Sequence, residues 1–122
     1  GFKYDGRWES VAKDLIGQYH LKPDAHILDV GCGKGFLLFE LKKLLPNATI
    51  AGYDISKYAI ENAKEEIKDN LNGTKQDLIQ NNPERTYLIF STQLLRDFEG
   101  DIYAYIDKYK NKYNCNSKIT HF

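Results

Sequence analysis

The stretch "HILDVGCGKGF" (residues 26–36) passes from a run of apolar residues into three alternating glycines, Gly31, Gly33 and Gly35. The apolar run predicts a strand that is buried on both faces, as the central strand of a parallel sheet is. An acid, Asp29, precedes the first glycine by two positions. Glycines in a loop let the backbone turn tightly and let a ligand approach without meeting a Cβ atom. The stretch therefore predicts a ligand-binding loop between a central strand and the helix that follows it.

Helical and strand patterns alternate along the rest of the chain. Apolar residues at helical spacing predict two helices, over residues 6–20 and 36–45. A third helix is predicted to begin after Ser56, with an apolar face formed by Ala59, Ile60, Ala63 and Ile67. A last helix is predicted from the spacing of Ile102, Ile106, Tyr109 and Tyr113. β-Branched, aromatic and apolar residues predict strands over residues 26–30, 49–55 and 86–92, a short strand near Lys75 and a terminal strand in "SKITHF".

This alternation predicts an α/β fold. Strand–helix–strand units with right-handed crossovers build a mostly parallel, doubly wound sheet with helices on both faces, which makes three layers. The length of 122 residues fits one domain over residues 1–122. Within it we expect an N-terminal arm and helix over residues 1–22 and the sheet core over residues 25–122.

Composition and charge exclude several classes of partner. Lys and Arg together number 17, as do Asp and Glu, so the formal net charge is zero. No basic excess is present to neutralise phosphates, and we expect no nucleic-acid partner. The apolar stretches are shorter than the roughly 20 residues that a membrane span needs, so no membrane partner is expected. The two cysteines are too few for a disulfide framework or a zinc site, and we expect a cytoplasmic protein without a metal.

The combination of Asp29 with a G-x-G-x-G loop resembles the first motif of class I methyltransferases that use S-adenosylmethionine. The resemblance continues in register, because Asp54 ends the second strand in "GYDIS", about 20 residues beyond the glycines. Further on, "KQDL" resembles the third cofactor motif of the family, and "YLIFSTQLLRDF" is similar to its fourth strand and the following loop. The likeness is close over residues 2–68 and loose afterwards. It implies a Rossmann-like fold, S-adenosylmethionine as cofactor and methyltransferase activity.

The resemblance also implies which residues hold the methionine end of the cofactor. Asp29 would organise its ammonium group, directly or through water. Gly31 and Gly33 would line the loop beneath the cofactor, and Cys32 would contact it through its backbone. An acid near a sulfonium and an ammonium is favourable, whereas it would oppose a pyrophosphate.

At the adenosine end, the resemblance assigns one role to each of three residues. Asp54 would accept hydrogen bonds from both ribose hydroxyls, and Ile55 would pack on the adenine. Asp77, in "KQDL", would accept a hydrogen bond from the adenine amino group.

No catalytic residue is predicted, because in methyl transfer the cofactor carries the demanding chemistry and the protein orients the acceptor. We expect a small-molecule acceptor. Gln93 and Asp97 lie just past the fourth strand, where the family makes contacts with its acceptors. Tyr4 and Trp8 could fold over the cofactor as an aromatic N-terminal arm, although Trp8 also belongs to the apolar stripe of the first helix.

The C-terminal part of the chain leaves alternatives open. The chain ends about where the fifth strand of the family would be, so we expect the last strands to be missing and a sheet edge to be open to a second copy or a partner chain. A second hypothesis is therefore a non-catalytic module. It would bind S-adenosylmethionine or S-adenosylhomocysteine, or it would bind a partner chain through the open sheet edge. A third, an NAD-dependent oxidoreductase, is disfavoured because dinucleotide sites use G-x-G-x-x-G.

Overall fold

The computed structural model describes residues 6–72, 86–90 and 117–120. Its strands are β1 (His26–Val30), β2 (Thr49–Tyr53), β3 (Thr86–Phe90) and β4 (Ser117–Thr120). They form one sheet in the order β2-β1-β3-β4, and all three pairings are parallel. Parallel neighbours require crossover connections, and the central position of β1 is the one predicted from its apolar sequence. The predicted α/β fold with a parallel sheet is confirmed.

The described helices are α1 (Trp8–Tyr19), α2 (Phe36–Leu44), α3 (Lys57–Glu61) and a 3-10 helix (Glu65–Asn70). α1 packs on α2, and α2 lies against β2. The buried cluster between these helices and the sheet includes Ala12, Leu15, Ile27, Leu38, Leu41 and Ile50. None of the described helices is long and apolar enough to cross a membrane.

Both faces of the central strand are buried. Ile27 belongs to the cluster beneath α1 and α2, while its neighbour Leu28 points to the opposite face and is buried as well, as is Val30. Such burial is typical of the middle layer of a three-layer fold. The predicted strand near Lys75 and the predicted last helix lie outside the described residues.

The region after β2 differs from the sequence prediction in two ways. The strand ends at Tyr53 rather than at residue 55, and the single helix predicted after Ser56 is replaced by α3 and the separate 3-10 helix. Ser56 does cap α3, since its hydroxyl accepts from Ala59 N–H (3.1 Å). The interruption covers residues 62–64. It ends at Lys64, whose backbone is extended (φ −53°, ψ 126°) and whose N–H donates to Lys34 O (3.1 Å). The helix breaks because the glycine loop binds that N–H.

We expect a stabilising substitution at Gly17, which lies inside α1. A Cβ atom added there would meet nothing within 4 Å. Gly17→Ala is expected to raise the free energy of unfolding by about 0.5–1 kcal/mol, because alanine loses less conformational entropy in a helix than glycine does. Urea unfolding followed by circular dichroism measures the change, and a lower midpoint for the variant would contradict it.

Candidate functional site

The glycine loop follows β1 directly and leads into α2. Gly31, Gly33 and Gly35 all have positive φ angles, of 82°, 58° and 78°. These values lie in the left-handed region, which residues with a Cβ atom rarely adopt. Gly35 is also the N-cap of α2, and a Cβ atom at this position would collide with the Ile67 side chain. The three glycines are therefore required by the backbone conformation, and at Gly35 by close packing as well.

The loop is bound to the end of β2. The N–H groups of Gly31 and Cys32 both donate to Tyr53 O, at 2.7 and 3.0 Å. Gly33 N–H donates to Asp54 Oδ2 at 2.8 Å, although the two residues lie 21 positions apart in the sequence. The parallel pairing of β1 with β2, in which Val30 stands beside Tyr53, brings the two segments together.

The Asp54 carboxylate joins two backbone segments. Oδ2 accepts from Gly33 N–H and Oδ1 accepts from Ser56 N–H, each at 2.8 Å. The residue is half-buried. A carboxylate can accept about four hydrogen bonds, so these two contacts leave acceptor capacity for donors of a ligand.

Asp29 occupies a different environment from Asp54. It is the fourth residue of β1, between Gly52 and Ile89 of the neighbouring strands, and only 1% of its surface is exposed. A buried carboxylate beside the loop contributes negative charge at the end of the central strand. The structure thus places one buried acid and one accessible acid at the same edge of the sheet.

The Cys32 thiol lacks the properties of a nucleophile. Burial raises its pKa, and the negative charges of Asp29 and Asp54 raise it further. Nucleophilic cysteines require the opposite shift, because the thiolate is the reactive form. The backbone of Cys32 is held within the loop, since its N–H donates to Tyr53 O and its carbonyl accepts from Gly35 N–H.

Two large apolar side chains lie exposed beside Asp54. Ile55 is 82% exposed and Tyr58 is 60% exposed. The Lys34 ammonium of the glycine loop stands 5.6 Å from the centre of the Tyr58 ring, which is within reach of a cation–π contact. Apolar surface next to an accessible carboxylate offers a planar ligand both packing and hydrogen bonding.

The structure brings together most of the residues predicted from the sequence to bind a ligand. Those at the carboxyl ends of β1 and β2 are Asp29, Gly31, Cys32, Gly33, Asp54 and Ile55. Asp77, Gln93, Asp97 and Tyr4 lie outside the described residues. Trp8 packs against the buried cluster from α1, which is the structural role considered for it. Within residues 6–72, 86–90 and 117–120, no three His, Cys, Asp or Glu side chains are grouped so that they could hold a metal ion.

Sequence reasoning missed Asn72, which contacts the backbone of Asp54. Asp54 N–H donates to Asn72 Oδ1, and Asn72 Nδ2 donates to Asp54 O, both at 2.8 Å. The only local signal is the pair Asn72–Gly73, because asparagine before glycine is typical of a turn. That signal carries no information about a contact with β2.

The chain is similar to known methyltransferases. Residues 21–87 match the family described as "Methyltransferase domain". Malonyl-[acyl-carrier protein] O-methyltransferase 1 of Ilyobacter polytropus is 44% identical over 73 residues, which cover 57% of this chain and 27% of that protein. Ribosomal RNA large subunit methyltransferase G of Vibrio atlanticus is 48% identical over 46 residues, which cover 38% of this chain and 12% of that protein.

A solved structure is similar over more of the chain than the family match covers. The plantazolicin methyltransferase BpumL, in complex with a monoazolic desmethylPZN analog and S-adenosylhomocysteine, superposes with a TM-score of 0.59 at 26% identity. The superposition covers 87% of this chain and 40% of that protein. The matched segments thus cover 27%, 12% and 40% of these three proteins. The matched family covers more than half of the chain and includes both strand-end acids, so this chain belongs to the methyltransferase domain family.

Proposed function

We propose that this domain binds S-adenosylmethionine and transfers its methyl group to a small-molecule acceptor. The observation that carries the proposal is the contact between Gly33 N–H and the Asp54 carboxylate. This contact holds an accessible acid beside the glycine loop with acceptor capacity to spare. Ribose hydroxyls are suitable donors for such a group.

The chemistry of the described residues fits this cofactor better than a dinucleotide. Asp29 and Asp54 place two carboxylates around one loop, which favours a ligand that carries a sulfonium and an ammonium and opposes a pyrophosphate. Asp54 would hold the ribose and the exposed Ile55 would pack on the adenine. Asp29, with the backbone of Gly31, Cys32 and Gly33, would organise the methionine end.

In this proposal the cofactor, when bound, supplies a methyl group made electrophilic by sulfonium. The residues of this chain bind and orient the cofactor. Asp77 is proposed to accept from the adenine amino group. We assign no general base.

The acceptor is proposed to be a small molecule in the cytoplasm. The two relatives named above act on a malonyl group carried by a protein and on ribosomal RNA, so family membership alone leaves the acceptor open. The formal net charge of zero favours an acceptor such as a malonyl group over RNA, because RNA binding depends on neutralising phosphates with Lys and Arg.

Calorimetric titration tests the binding. We expect S-adenosylhomocysteine and S-adenosylmethionine to bind the 122-residue chain and NAD not to bind. Binding of NAD alone would overturn the proposal.

A second measurement tests the transfer. The chain is incubated with methyl-labelled S-adenosylmethionine and a panel of acceptors that includes a malonyl thioester and ribosomal RNA. Label on the small acceptor supports the proposed enzyme, whereas label on RNA alone contradicts the acceptor class. Binding without any transfer would instead favour the non-catalytic module.

A further inference from the structure

We propose that Asn72 is a positioning residue, which fixes the backbone of Asp54 so that its carboxylate meets the ribose of the adenosyl ligand. The inference rests on the proposed function, because it assigns Asn72 a role in the same site. Asn72 makes its contacts with the main chain of Asp54 and acts on a ligand only through that residue.

The Asn72 carboxamide forms a closed pair of hydrogen bonds. Asp54 N–H donates to Oδ1 and Nδ2 donates to Asp54 O, each at 2.8 Å. A backbone N–H can only donate and a backbone carbonyl can only accept. The orientation of the carboxamide is therefore determined by its partners, and both polar groups of the Asp54 backbone are engaged by one side chain.

The backbone of Asn72 places the carboxamide at the end of β2. Asn72 N–H donates to Gly52 O (2.8 Å), next to the isolated parallel bridge between Gly52 and Leu71. The φ angle of Asn72 is 51°, a left-handed value that asparagine adopts more readily than most residues. The Asn72 side chain thus adds two hydrogen bonds to the Asp54 backbone, which continue the backbone pairing past the bridge between Gly52 and Leu71.

The consequence is that the main chain around Asp54 is held on two sides. Tyr53 O accepts from Gly31 and Cys32 of the glycine loop, and Asn72 holds the N–H and the carbonyl of Asp54. With this backbone fixed, the carboxylate is placed by the Asp54 side-chain torsions and by the hydrogen bonds from Gly33 N–H and Ser56 N–H. Orienting a binding group before the ligand arrives lowers the cost of binding.

Asn70 provides a matched control within the same segment. Its Nδ2 donates to Ile50 O (3.0 Å), so it also binds a carbonyl of β2 through its amide. That carbonyl lies four residues before Asp54. Asn70→Gly and Asn72→Gly remove the same side chain from the same edge, and only the second removes a contact with Asp54.

The experiment measures the dissociation constant of S-adenosylhomocysteine by calorimetry for these variants of the full chain. Glycine at position 72 keeps the left-handed backbone accessible. Asn72→Gly is expected to weaken binding about tenfold, and Asn70→Gly by less than about twofold. In the Asp54→Ala background, Asn72→Gly should cause no further loss, because residues that act as a unit are not additive.

A second variant keeps the test decisive if glycine destabilises the fold. Asn72→Asp has nearly the same shape and still accepts from Asp54 N–H, but it turns an oxygen toward Asp54 O. We expect it to weaken binding by about tenfold or more. Thermal melting establishes that each variant is folded at the temperature of the titration.

Four outcomes would overturn the inference. The first is a folded Asn72 variant that binds S-adenosylhomocysteine with wild-type affinity. The second is a double variant in which the losses of affinity caused by Asn72→Gly and by Asp54→Ala add in full. The third is loss of folding in both Asn72 variants while Asn70→Gly folds, which would assign Asn72 a structural role only. The fourth is the absence of binding by the unaltered chain, which overturns the proposed function itself and is thereby distinguished from the other three.

Discussion

Asp54→Ala is expected to weaken S-adenosylhomocysteine binding by about 1.5–3 kcal/mol, or roughly 10- to 150-fold in the dissociation constant. The substitution removes the proposed acceptor of both ribose hydroxyls. It also removes the partner of Gly33 N–H and Ser56 N–H, which the carboxylate holds at 2.8 Å each. The glycine loop and the start of α3 then lose their common contact. Isothermal titration calorimetry on the purified variant measures the loss.

Asp69→Ala is the matched control for this substitution. Asp69 is exposed in the 3-10 helix, so the same change of charge and size occurs on a solvated surface. Its dissociation constant should stay within about twofold of the wild-type value. An unchanged constant for Asp54→Ala, in a variant that melts at the wild-type temperature, would remove the basis for the ribose assignment.

Asp54→Asn separates the charge and acceptor capacity of this residue from its shape. Both carboxylate oxygens accept from backbone N–H groups, whereas an asparagine amide offers one acceptor oxygen and one NH₂ group. One of the two backbone N–H groups would then face a donor. We therefore expect this variant to lose affinity in the same direction as the alanine variant.

Gly52→Ala is expected to lower the free energy of unfolding by about 1–3 kcal/mol, the usual cost of an added methyl group in a packed core. A Cβ atom at Gly52 would lie 2.6 Å from Leu71 Cδ2, 2.8 Å from Leu38 Cδ1 and 2.9 Å from Cys32 Sγ. All three neighbours are buried, so each must move within a filled interior. Denaturant unfolding measures the difference.

Gly17→Ala makes the same chemical change in α1, where the added atom meets nothing, and it should shift stability in the opposite direction. The two variants therefore separate the effect of packing from the general effect of replacing glycine. Equal unfolding midpoints for Gly52→Ala and the wild type would show that the core beside β2 accommodates the methyl group.

Much of the fold could be predicted from local patterns. The strand over residues 26–30 was predicted with the bounds that the structure shows, and the two helices on either side of it differ from prediction by no more than two residues at each end. These elements have strong local signals: a continuous apolar run, an apolar stripe, and glycine or proline at their ends. The predicted α/β class and the methyltransferase family are both confirmed.

The region after Asp54 could not be predicted in the same way. Apolar residues at helical spacing continue from Ala59 to Ile67, and nothing in that pattern marks a break. The break arises because Lys64 N–H donates to Lys34 O of the glycine loop. Ile67 packs over Gly35 from the 3-10 helix that follows. The helical pattern is overridden by contacts with a segment about 30 residues earlier, as tertiary packing commonly overrides local propensity.

The sequence by itself determined the central strand, the three glycines after it and the acid at the end of the next strand, because each depends on residues close together in the chain. Only the tertiary structure decided how Asp54 is held. Its carboxylate meets Gly33, its backbone meets Asn72, and the strand before it requires glycine at position 52. These contacts join residues that are 18 to 21 positions apart, or they depend on the space left between packed elements. A hydrogen bond between residues so far apart leaves no periodic signal in the sequence. The lack of space for a Cβ atom at position 52 leaves none either.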